Sequence, residues 1–274
     1  DLDIPYIFFR NRKTDPPEMS LTWRESTGWK STENIGNFEI LYKTNINMAF
    51  DPQGRPGIVY ISDILNYPSL NYAYWTGSII SITTIYTIDI YPISGELYTA
   101  FDPAGNPHIL TTIYYYEKQH NPDGTLITPT TITATSILYG SWESAGWTMD
   151  TIGVTPGKAV PISLNFSATG QSNAWFWSSG GVMQLIGDGI SWTSWILGSP
   201  GISEDIPFFL PRGINGNISI AYFTNTSIQV ASWDGSKWNI LFTTTPLPHS
   251  EDLECLAFDS LGHPHFVYTE SGYV

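Results

Sequence analysis

Apolar and polar residues alternate along this chain in short runs broken by glycine and proline, and no stretch carries the spacing of a long amphipathic helix. The clearest run, Met48 to Tyr60, reads Met-Ala-Phe-Asp-Pro-Gln-Gly-Arg-Pro-Gly-Ile-Val-Tyr. It returns as Tyr98 to Leu110 and as Leu256 to Tyr268, with weaker copies at Leu164 to Ser172 and Phe208 to Tyr222. Each copy predicts a strand, a tight turn and a second strand. Asp or Ser opens the turn by bonding its own backbone, Pro presets φ, and Gly supplies a positive φ. The next Pro starts the second strand, where a missing N–H does least harm. The turn glycines are Gly54, Gly105, Gly170, Gly216 and Gly262, spaced 51, 65, 46 and 46 residues apart. Asp51, Asp102 and Asp259 share one repeat position and read as turn formers.

A second hairpin alternates with the first, at Leu21 to Trp29, Tyr74 to Ile80, Tyr139 to Trp147, Leu185 to Trp192 and Val230 to Trp238. Aromatic or large apolar residues flank a glycine-containing turn in each, a strong hairpin signal. Cross-strand aromatic pairs would stabilise these hairpins. Trp75, Trp142 and Trp233 are also candidate platforms for stacking a sugar ring.

Such strands cannot bury themselves singly, so the repeat predicts an all-β fold: one β-propeller domain over residues 1–274, of five blades with four antiparallel strands each. The chain opens with a second hairpin and closes with a first one. Ring closure therefore expects Leu253 to Tyr268 to share a blade with Thr22 to Ile35. The apolar run Ile4 to Phe9 is surplus to that scheme and suits either an added strand or a six-bladed ring.

Composition agrees with a folded β protein: 42% hydrophobic, 15% aromatic and 13% charged residues. A net charge of −14 repels phosphate backbones and anionic membranes, which argues against nucleic-acid binding. Lone Cys255 allows no internal disulfide and reads as a small buried hydrophobe. No run of eighteen apolar residues exists, so no membrane insertion is expected. Low charge with abundant Thr, Ser, Asn and Tyr suggests a secreted or cell-surface setting, compatible with further domains of a longer chain. Sequons stand at Asn165, Asn217 and Asn225.

Repeats of the form Phe-Asp-x-x-Gly-x-Pro-His-Ile followed by Trp-x-Gly-x-x-Trp resemble those of exported bacterial and archaeal β-propeller proteins, loosely of sialidase-like or bangle-lectin type. The resemblance spans nearly the whole chain and implies fold rather than activity. The sialidase motif Ser-x-Asp-x-Gly-x-x-Trp is matched one residue short by Ser232 to Trp238, and no arginine triad can be assembled. Catalysis is not implied.

In a propeller the Asp-Pro-x-Gly turns and the tryptophan hairpins share one face, and the longer connections share the other. The variable loops Ser62 to Asn71, Glu117 to Pro129 and Ser178 to Met183 fall on that second face, where binding is expected. Glu96, Glu204, Asp205, Glu251 and Asp252 immediately precede innermost strands there and are expected to form an acidic rim at the channel mouth. Such a rim is a candidate ligand site and can hold Ca²⁺, though no cofactor is expected otherwise. The histidines show no metal-ligand spacing, and no nucleophile elbow or phosphate loop occurs. The expected function is a non-catalytic module binding a protein or glycan. The alternatives are a glycoside hydrolase using Glu96, Asp205 and Asp252, and a structural surface or assembly protein.

Overall fold

The computed structural model describes residues 6–11, 18–32, 46–64, 67–87, 93–116, 119–120, 126–127, 132–178, 180–198, 208–209, 218–223, 227–244, 250–258 and 263–270. Among these, every regular element is a strand, and the sheets are antiparallel. The chain divides into two compact units, Asp1–Asn173 with Ile186–Trp192, and Ala174–Leu185 with Thr193–Val274.

The first unit begins with a three-stranded sheet of β1 (Tyr6–Asn11), β2 (Glu18–Glu25) and β3 (Gly28–Thr32). A four-stranded sheet follows: β4 (Asn47–Phe50), β5 (Pro56–Ile64), β6 (Tyr67–Trp75) and β7 (Ile80–Thr87), paired in chain order. The next comprises β8 (Ile93–Phe101), β9 (Pro107–Tyr116), β12 (Ile132–Glu143) and β13 (Gly146–Pro156). Between β9 and β12, the insertion behind the 65-residue glycine spacing forms a small hairpin, β10 (Gln119–His120) with β11 (Leu126–Ile127). The sheet β14 (Ala159–Phe166), β15 (Ser172–Ser178), β16 (Gly181–Gly187), β17 (Trp192–Gly198) has residues in both units. In the second unit lie the four-stranded sheet β18 (Phe208–Phe209), β19 (Ile218–Phe223), β20 (Ile228–Trp233), β21 (Trp238–Thr243) and the pair β22 (Ser250–Phe258) with β23 (Pro264–Glu270).

Each four-stranded sheet thus joins a first hairpin to a second one, as the repeat predicts, with Asp51, Asp102 and Ser167 opening the first-hairpin turns of three of them. The N-terminal sheet departs from expectation. The edge of β2 that was to receive the C-terminal pair is taken by β1, in register from Tyr6 opposite Trp23 to Asn11 opposite Glu18. The run Ile4 to Phe9 is only a short loop away from β2, and short loops close at little entropic cost. The C-terminal pair β22–β23 forms its own two-stranded sheet.

Strand β5 shows why the sheets stack. Its run Ile58-Val-Tyr-Ile61 is apolar at every position, and each residue is at most 2% exposed. Side chains alternate across a strand, so Ile58 and Tyr60 enter a cluster with Leu21, Ala73 and Trp75, while Val59 and Ile61 enter another with Leu70, Tyr72, Leu97 and Ile109. The sheet is therefore covered on both faces, by the N-terminal sheet on one side and by the β8–β13 sheet on the other. Fully burying each such side chain contributes about 1.5–3 kcal/mol as an upper estimate.

Like strands meet in this stacking. Strand β8 lies beside both β4 and β14, and β13 lies beside β7. Asn47 Oδ1 on β4 accepts the Thr99 backbone N–H of β8 at 2.9 Å. In two of the sheets, the tryptophan near the start of the fourth strand packs edge-on against a tyrosine of the preceding sheet's third strand. Trp147 meets Tyr72 at 5.0 Å and Trp192 meets Tyr139 at 4.7 Å between ring centroids.

Candidate functional site

The turn acids do the work their sequence predicts. Asp51 Oδ1 accepts the backbone N–H groups of Gln53 and Arg55 at 2.9 and 2.8 Å, and Gly54 sits at φ 75°. Asp51 Oδ2 accepts from Arg55 Nε and from the Tyr74 hydroxyl, both at 2.7 Å. The Arg55 guanidinium lies 5.2 Å from the Tyr74 ring centre. Burial pushes the Asp51 carboxyl up, but the bonds from Tyr74 and Arg55 outweigh it and hold it below the usual range. Burial, with Asp51 alongside, pushes Tyr74 up to about 12. Asp102 caps its turn in the same way through Asn106, and Ser167 does so through Gln171. Asp259 lies outside the described residues. These carboxylates are occupied by their own turns.

At the tryptophan hairpins the three platform candidates separate. Trp75 is 9% exposed and tilts against Trp23 at 5.3 Å, so its ring faces are committed to the core. Trp233 is half-buried and packs on Trp238 at 5.5 Å. Trp142 is 39% exposed, held edge-to-face on Trp147 at 5.8 Å, and followed by the exposed Glu143 at the hairpin tip. At the equivalent tip beside Trp233, Asp234 is engaged by the backbone N–H groups of Ser236 and Lys237 and by the Asn239 amide. Trp142 and Glu143 are thus both exposed at one hairpin tip.

The residues expected to form an acidic rim are described only in part. Glu96 is half-buried on the edge strand β8 itself rather than before it, and its backbone carbonyl accepts the Thr111 hydroxyl at 3.2 Å. Burial, with the Glu96 carboxylate adding to it, pushes the neighbouring Tyr98 up. Glu204 and Asp205 lie outside the described residues. Glu251 and Asp252 stand on β22, where the backbone alone is described, with Asp252 opposite Thr269. Cys255 is likewise placed on β22, opposite Val267. Among the described residues, no group of three or more His, Cys, Asp or Glu could hold a metal ion.

One constellation was invisible to sequence reasoning. His108 has its Nδ1 2.7 Å from the Tyr139 hydroxyl, which is 2.9 Å from the Ser172 hydroxyl. Asp102 Oδ2 lies 3.5 Å from His108 Nε2, beyond hydrogen-bond range, so it acts through charge. The imidazole also packs on Phe166 at 4.6 Å. Burial pulls His108 below the usual imidazole range, with Asp102 partly offsetting it, and pushes Tyr139 up to about 12. Burial raises Asp102, but the Asn106 and His108 interactions prevail and hold it low. Ser172 is 2% exposed, so this hydroxyl cannot reach a substrate. A repeated His in strand registers gives no hint of partners 31 residues away.

No family model matches the chain, and no curated protein is similar to it at a significant level. Solved structures are similar in fold. A lectin, SapL1, solved with alpha methyl fucoside, aligns at TM-score 0.52 and 15% identity, covering 92% of this chain and 84% of its own. An ulvan lyase of a polysaccharide lyase family, bound to -[GlcA(1-4)Rha3S]-, aligns at TM-score 0.56 and 10% identity, covering 91% of this chain and 69% of its own. A luciferin-regenerating enzyme aligns at TM-score 0.50 and 16% identity, covering 92% and 76%. At these identities the likeness concerns fold alone, and it agrees with a β-propeller.

Proposed function

We propose that the chain is one β-propeller domain, five-bladed with a six-bladed ring as the alternative, serving as a non-catalytic glycan-binding module of a secreted or cell-surface protein. The observation that carries this reading is the Trp142–Glu143 hairpin tip. An indole 39% exposed and braced by Trp147 keeps its platform at little entropic cost. The turn acids Asp51, Asp102 and Asp234 are tied to their own backbones, which argues against their use as catalytic groups. Fold likeness to a lectin solved with a fucoside, and to a lyase solved with a saccharide, points to carbohydrate as the ligand class. The rim residues Glu96, Glu204, Asp205, Glu251 and Asp252 are proposed as a second contact surface, with Ca²⁺ as the cation such a rim would take.

A glycan array followed by titration calorimetry tests the proposal. Wild type is expected to bind a saccharide class without cleaving it, and Trp142→Ala to lose at least about tenfold in affinity while keeping its melting temperature. Absence of binding to any saccharide contradicts the proposal. Depolymerisation of a bound polysaccharide would move the function to the enzyme reading, with Glu96, Asp205 and Asp252 as the carboxylates to substitute.

A further inference from the structure

We infer that the buried chain Asp102–His108–Tyr139–Ser172 is an acid-sensitive latch, which holds β14 and the start of β15 against the β8–β13 sheet when His108 is neutral and loosens them when it is protonated.

The repeat itself shows that packing alone does not call for an imidazole here. Six residues after the turn acid, the preceding sheet carries Gly57 where this one carries His108. Both sites sit beside a third-strand tyrosine, Tyr72 or Tyr139, that lies under a tryptophan, Trp147 or Trp192. At Gly57 the Tyr72 hydroxyl fills the space beside Phe101 and is buried without a hydrogen-bond partner among the described residues. At His108 the imidazole fills it beside Phe166 and joins the tyrosine hydroxyl to a serine of the next hairpin. One interface is therefore tied by apolar contact and the other by a titratable chain.

The direction of that chain follows from which atoms can donate. A carboxylate only accepts, so the Nε2 hydrogen of neutral His108 is assigned to the Asp102 side and Nδ1 accepts the Tyr139 O–H. Tyr139 then accepts the Ser172 O–H. Protonation makes Nδ1 a donor. Tyr139 must then accept from His108 and turn its own hydrogen to Ser172, whose hydrogen is left without an acceptor in a site 2% exposed. The Ser172 hydroxyl makes no other hydrogen bond among the described residues. A buried donor so orphaned is costly.

The groups facing His108 are Asp102 from the β8–β9 turn, Tyr139 from β12 and Phe166 from β14, with Ser172 and Trp192 reached through Tyr139. Asp102 alone among these is charged. It stands 3.5 Å from Nε2 on a partly exposed turn, where its attraction for an imidazolium is moderated by water. Burial of the ring prevails over it in the direction of the shift, which favours the neutral form in the folded state. The latch is thus closed above the usual imidazole range and opens as pH falls below it.

Amide hydrogen exchange of β14, read as protection factors at pH 7.5 and 5.5, tests the inference. In wild type the protection is expected to fall about fivefold or more at pH 5.5, as the loss of one buried hydroxyl's bond implies. In His108→Gln, which can accept from Tyr139 but does not titrate, it should stay level. Equal behaviour of the two proteins, or no fall in wild type, overturns the inference. If the variant does not fold, a ring titration of wild-type His108 by NMR decides. Protonation and loss of β14 protection must share one midpoint, and separate midpoints overturn the latch.

Discussion

A methyl group added at Gly57 tests the stacking of the β4–β7 sheet on the β8–β13 sheet. An ideal Cβ there would overlap the Tyr72 hydroxyl and stand 2.7 Å from Tyr72 Cζ and 2.8 Å from Phe101 Cζ. Ring ends on flexible side chains can sometimes swing away, but Tyr72 is 5% exposed and braced edge-on by Trp147. Relief therefore requires the two sheets to part. Overpacking of this kind costs about 1–3 kcal/mol. At about 2–4 °C per kcal/mol for a chain of this size class, Gly57→Ala should melt roughly 2–12 °C lower. The Tyr72 hydroxyl is buried without a partner among the described residues, so Tyr72→Phe alone should cost less than about 0.5 kcal/mol. Combined, the two changes should couple by at least about 0.5 kcal/mol in the relieving direction, since the nearest overlapping atom is gone. Circular-dichroism melts and urea midpoints of the four proteins give the cycle. A neutral Gly57→Ala, or strict additivity with Tyr72→Phe, would refute the packing described.

Three further outcomes follow from the turn and hairpin chemistry. Asp51→Asn weakens a carboxylate whose side chain is 1% exposed and which accepts from Arg55 and Tyr74, and it should lower stability by about 1.5–3 kcal/mol by denaturant titration. Asp51 and Asp102 are held below the ordinary carboxylate value of 3.8 in the folded state, so their contribution is present above that pH and lost as pH falls beneath it. Denaturation midpoints at pH 5 and pH 2.5 should show this loss, and the drop should shrink in Asp51→Asn. Trp192→Ala removes the edge contact on Tyr139 and should destabilise by about 3–5 kcal/mol, more than Trp142→Ala, whose indole is 39% exposed at a hairpin tip.

What the sequence made legible was local chemistry. The Asp51, Asp102 and Ser167 turns are written within five residues each, because a side-chain oxygen and a positive-φ glycine suffice to make them, with a proline added in the first two. The tryptophan hairpins are equally self-contained, and the apolar run Ile58 to Ile61 announced a strand, though not that both of its faces would be covered. What stayed hidden depends on which face of a strand meets which neighbour. Trp75 and Trp142 occupy the same hairpin position, yet one is sealed by Trp23 and the other is open. The His108 chain joins residues 31 and 33 positions apart, beyond any local pattern. The pairing of β1 with β2 was decided by a short connecting loop, where the repeat count had favoured a partner from the far end of the chain.

A crystal structure is the most direct test of the central claim that successive sheets stack face to face with like strand beside like strand. The account predicts β8 between β4 and β14, the Asn47 carboxamide bridging to Thr99, and Trp147 and Trp192 seated on Tyr72 and Tyr139. Two sheets closed as a sandwich, or a solenoid in which those rings stand apart, would contradict it.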